Sequence, residues 1–138
     1  MLVHFPSALL PMAVLLDVSS LYFGDRNLSL FSFYCLCAGT LLGWAALIFG
    51  SIDLFKISSG KKSFRTALLH GGLNLLWLFI FTISAGIELK NYPEINYPSA
   101  VKIFTEFFAI AGMFYSNFLG GELMLKYDIG KDSIRKED

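Results

Sequence analysis

"SLFSFYCLCAGTLLGWAALIFGSI", residues 29–52, runs for 24 residues without a charged side chain. A hydrocarbon layer ~30 Å thick takes ~20 such residues as a helix. Apolar residues here are continuous, not alternating, so the segment reads as a helix and not as a barrel strand. Three further apolar runs flank it, at about 6–23, 66–87 and 99–125. The breaks are "GDRN" (24–27), "DLFKISSGKKSFR" (53–65) and "ELKNYPEINYPS" (88–99). The pattern predicts an all-α integral membrane four-helix bundle over residues 1–127, followed by a short charged tail, 128–138.

Composition agrees. The chain has 138 residues, 55% hydrophobic and 16% charged, with a mean hydropathy of +0.60. A soluble domain carries about a quarter charged residues, so the expected solvent is a lipid bilayer. The net charge is zero, which gives no footprint for nucleic acid. Cys35 and Cys37 are two apart inside "FYCLCAG" and read as buried small hydrophobes. The first run lacks a basic leader and a small-residue cleavage site, so it reads as a mature helix.

Orientation follows from Lys and Arg. Lys56, Lys61, Lys62, Arg65, Lys126, Lys131, Arg135 and Lys136 fall on the side of the termini, against Arg26, Lys90 and Lys102 on the other. Both termini are therefore expected in the cytoplasm. Tyr92 and Tyr97 suit the far interface.

Small residues form two helical stripes: Gly39, Gly43, Ala46 and Gly50, leading to Asp53, and Ala109, Gly112, Ser116 and Gly120. Such stripes let helices approach closely in lipid. They serve either the bundle itself or an oligomer or larger membrane complex joined through Gly39-x-x-x-Gly43.

Ionisable groups within spans are costly and therefore functional candidates. Near the cytoplasmic side lie His4, Asp53, His70 and Glu122; towards the far side lie Asp17, Lys102 and Glu106. Pro6 is expected to open the first helix, which brings His4 and His70, the only two histidines, to similar depth on helices running the same way. Facing each other from neighbouring helices, they can supply both axial ligands of haem b. Lys61, Lys62 and Arg65 then lie ready for the propionates. Asn74, four residues after His70, shares its face. Met12, Met113 and Met124 are other possible axial groups. That reading makes the protein an electron carrier exchanging with quinol or a respiratory-chain protein.

Two other readings stay open. The histidines can be structural contacts in an accessory subunit. Alternatively His4, His70, Asp53 and Glu122 form a metal or proton site in a small transporter or conduit. On the far side, Asp17 and Lys102 are expected to pair, with Glu106 beside them. No serine lies in a nucleophile pattern, and "LGGEL" lacks the context of a phosphate loop. A conventional enzyme is not expected.

"VHFPSALLPMAVLLD", "GSIDLFKI", "LHGGLN" and "NFLGGELMLKYDIG" resemble, in that order, the motifs of the bacterial domain of unknown function 2231 (DUF2231) family. The resemblance covers nearly the whole chain and implies a four-span membrane protein. His4, Asp17, Asp53, His70, Asn74, Gly120, Gly121 and Glu122 fall on its recurring positions. Some members resembling this chain are fused to Rieske iron–sulfur or cytochrome c domains, which by analogy implies electron transfer. One departure stands out: Asp128 replaces a histidine frequent in the tail motif.

Overall fold

The computed structural model describes residues 4–55 and 62–127, with Tyr127 by its backbone alone. Lys56, Lys61 and the tail from Asp128 lie outside the described residues. Four helices follow in chain order: α1 (His4–Phe23), α2 (Arg26–Leu54), α3 (Lys62–Leu89) and α4 (Ala100–Tyr127). All four are long and apolar enough to cross a membrane. α2 has 29 residues, a length of about 43 Å.

The helices overrun the apolar runs because caps and turns end a helix, not hydropathy. Gly24 stops α1 with a left-handed φ of +67°, a conformation that favours glycine. Asp25 then caps α2, its carboxylate accepting from the Asn27 N–H at 2.9 Å. At the start of α4, Ser99 Oγ accepts from the Lys102 N–H at 3.2 Å. α1 begins at His4 rather than at Pro6. Proline is tolerated there, since first-turn N–H groups have no partner within the helix.

Packing follows a ring. α1 lies on α2 and α4, and α3 lies on the same two, so α1 and α3 are diagonal. The histidine-bearing helices are therefore not neighbours, contrary to the expectation above. Along α4, Lys102, Glu106, Ala109, Met113, Ser116, Gly120 and Leu123 repeat at spacings of four and three, the seam of antiparallel helix pairs. α3 answers with His70, Trp77 and Ser84 at intervals of seven. A Cβ on Gly112 would collide with the Trp77 indole, and one on Gly120 would lie 2.8 Å from His70 Cε1.

The α2 stripe also packs inward. A Cβ on Gly39 would stand 2.9 Å from Leu10, and one on Gly43 would stand 2.7 Å from Leu78. Gly39 and Gly43 thus close the bundle on α1 and α3. Leu10, Val14, Leu36, Phe81, Ile110 and Met113 fill the middle layer with Ala13 and Ala109. Outside, Leu15, Leu41, Ile83, Phe104, Phe107 and Phe118 are exposed. An apolar surface this broad belongs in a bilayer.

The two ends differ. At the loop end, the segment 90–99 folds over the helices with Ile95 and Pro98 buried. Tyr97 donates its hydroxyl to the Gly24 carbonyl at 2.6 Å, and Arg26 sits 5.7 Å from its ring centre. Tyr92 packs on Phe33, ring centres 5.8 Å apart. At the opposite, terminal end, α1 and α3 begin and α2 and α4 finish.

Candidate functional site

Asp17 of α1 is fully buried near the loop end. Lys102 and Glu106 occupy successive turns of α4, so they share one face. Ser84 and Glu88 do the same on α3, which faces α4 here. These three helices bring five polar side chains together. Lys102 Nζ forms an ion pair with Asp17 Oδ2. It lies 2.8 Å from Glu88 Oε1 and 3.7 Å from Glu106 Oε1. Ser84 donates its hydroxyl to Glu106 Oε1. The other oxygens, Asp17 Oδ1, Glu88 Oε2 and Glu106 Oε2, are buried and have no hydrogen-bond partner among the described residues.

Three carboxyl groups thus surround one ammonium. Asp17 and Glu106 have 0% exposure, where unbalanced charge is expensive. Beside the cluster, a cavity of about 470 Å³ runs between α3, α4 and the 91–99 loop. Ser84, Glu88, Lys102, Asn91, Asn96 and Ser99 line it within a mostly apolar wall that includes Ile80, Ile83, Ile87 and Val101. The cluster accordingly has one side towards this cavity and the other towards the apolar middle layer. Glu88 escapes a reading of the sequence because it stands just past the apolar run. Its spacing from Ser84 and from Trp77 is the signal that places it on the seam.

At the terminal end, His70 turns towards α4. Its Nδ1 donates to the Ser116 carbonyl at 2.7 Å, which leaves Nε2 to accept from Asn74 Nδ2 at 3.2 Å. Ser116 returns its hydroxyl to the His70 carbonyl at 3.0 Å. Asn117 Nδ2 donates to Ser7 Oγ at 3.1 Å, joining α4 to α1. His70, Asn74, Asn117 and Ser7 help to line a second cavity, of about 210 Å³, with Asp53 on its wall.

The remaining candidates are spread over this end. His4 is exposed at the first residue of α1, and Lys62 and Arg65 are exposed in the first turn of α3. Glu122 pairs with Lys126 at 2.8 Å along α4. Among the described residues, no three His, Cys, Asp or Glu side chains converge as ligands for a metal ion. His4, His70, Asp53 and Glu122, the metal site considered from sequence, do not appear as such a group among the described residues.

No curated protein and no solved structure matches the chain. One family profile, described as "Predicted membrane protein (DUF2231)", matches residues 1–133. With four apolar helices and a match over nearly its full length, the chain belongs to the DUF2231 family of predicted membrane proteins.

Proposed function

We propose that this chain is a proton-handling protein of the bacterial inner membrane, with Asp17, Glu88, Lys102 and Glu106 as its working centre. One observation carries the reading: three buried carboxyl groups share one ammonium, and each retains an unpartnered oxygen. Full ionisation would leave two negative charges unbalanced inside the membrane. Protons are the counter-charge that needs no further ligands, and intramembrane carboxylates serve repeatedly as proton relays. The cavity under the 91–99 loop supplies the route from the loop end. With the Lys and Arg excess facing the cytoplasm, that route opens to the periplasm.

Infrared difference spectroscopy on the protein in lipid tests this directly. A carboxylic C=O band sensitive to deuterium exchange is expected in the wild type and diminished in Glu106→Gln. In vesicles with a trapped pH dye and an imposed voltage, wild-type protein should carry protons, and the Gln variant should fall to the level of protein-free vesicles. A spectrum without such a band, together with no flux, overturns the proposal.

Haem b held by His4 and His70 is the second proposal. It draws on one observation: Pro6 and Ser7, close to His4 in sequence, share a cavity wall with His70. The arrangement must change to admit it, since His70 Nε2 has to leave Asn74 and His4 has to turn inward from an exposed position. A bound haem would supply one-electron chemistry, with quinol or a respiratory-chain protein as partner. After reconstitution with haem b, a sharpened low-spin Soret band lost in both His4→Ala and His70→Ala supports this reading. A spectrum matching haem in empty detergent discards it.

A further inference from the structure

The glycines of this bundle fall into two groups. At Gly39, Gly43, Gly112 and Gly120 the place of a Cβ is already taken by a neighbouring side chain. At Gly50, Gly71, Gly72, Gly86 and Gly121 it is open space, and of these Gly50 and Gly71 line the terminal-end cavity. Helix interiors disfavour glycine by about 1 kcal/mol relative to alanine. Neither packing nor helix propensity explains these two, but the room they leave does.

That room has a definite chemistry. Leu10, Leu78, Phe81 and Met113 make its inner wall apolar. Asn74 and Asn117 supply the polar layer. Each has used an amide N–H, on His70 and on Ser7. Among the described residues neither Oδ1 takes part in a hydrogen bond, so the layer offers a hydroxyl two acceptor oxygens. Asp53, the carboxylate of the wall, is exposed at its edge, so the interior favours an uncharged guest. A cavity of ~150 Å³ lined by apolar side chains accommodates benzene, and this one measures about 210 Å³. One ring with small substituents fits. Gly50 is exposed, which makes the seam between α2 and α3 the entrance.

We propose that this cavity binds an uncharged single-ring molecule bearing a hydroxyl group, a phenol or hydroquinone. The ring rests among Leu10, Leu78, Phe81 and Met113, and the hydroxyl donates to an amide oxygen of Asn74 or Asn117. Such a ring arrives either free from water or as the head of a lipid-soluble quinol.

Saturation-transfer NMR on the detergent-solubilised full chain tests the site with two probes, p-cresol and a short-chain ubiquinol. Saturable binding is expected in the wild type. Gly71→Leu and Gly50→Leu each place a side chain in the open space, and both raise helix propensity, so the fold is retained. Each should weaken binding about tenfold or more with an unfolding temperature no lower than that of the wild type. Tighter binding of cresol marks a water-borne guest, and tighter binding of the quinol marks a lipid-borne one; either supports the site. Non-saturable partitioning in the wild type, or equal saturable affinity in both leucine variants, overturns it.

Discussion

Replacing Lys102 by methionine is expected to destabilise the bundle by about 3–5 kcal/mol, the loss seen when one partner of a buried ion pair is removed. Methionine keeps the length and the apolar stem but removes the ammonium that Asp17, Glu88 and Glu106 share. The three carboxyl groups are then buried without a cation. The sign of the pH dependence follows. Lowering the pH protonates the orphaned carboxylates and restores stability, whereas raising it deepens the deficit. Unfolding in mild detergent, followed by helix signal against denaturant at several pH values, measures both effects. Adding Asp17→Asn to Lys102→Met should recover part of the loss even at neutral pH. A Lys102→Met protein as stable as the wild type at every pH would mean that the ammonium is not what balances the cluster.

Gly112→Leu is expected to produce the second large effect, on the order of 3 kcal/mol, at the upper end of what overpacking costs. Its Cβ would occupy the place of the Trp77 indole ring. Both groups sit on rigid helix backbones, so neither yields without opening the α3–α4 seam. Lipid offers the displaced side chains no hydrophobic penalty to drive them back, and close packing is what holds helices together there. The check is a double-variant cycle. Trp77→Ala alone leaves a void, but with Gly112→Leu it should regain at least about 1 kcal/mol through coupling between contacting residues. Additive losses would place the clash elsewhere.

How much of this was legible follows from what each sequence signal measures. Apolar run length reports membrane crossing, so the four helices could be read from residues such as those of 29–52. It does not report helix ends, which Gly24, Asp25 and Ser99 set through backbone geometry and capping. Glu88 illustrates the consequence: it looks like the first residue of a polar loop, yet α3 continues through it and turns it onto Lys102. Lys102 and Glu106 were readable as a face because they are four apart. Depth alone was readable for His4 and His70. The direction each takes around its helix depends on the packing order, and the diagonal placement of α1 and α3 turns His70 to Ser116 and Gly120 instead.

The pairing of Asp17 with Lys102 spans 85 residues of chain, and that separation has a meaning during synthesis. At roughly 5–20 residues per second, α1 leaves the ribosome several seconds before Lys102 exists. For that interval Asp17 has no cation to meet. α1 therefore enters the bilayer as one half of a hairpin, held by the Ser32 hydroxyl on the Ala13 carbonyl at 2.8 Å and by Leu10 against Gly39. Arrival of α4 then fixes the acid at its final depth, so the last helix to emerge completes the insertion of the first.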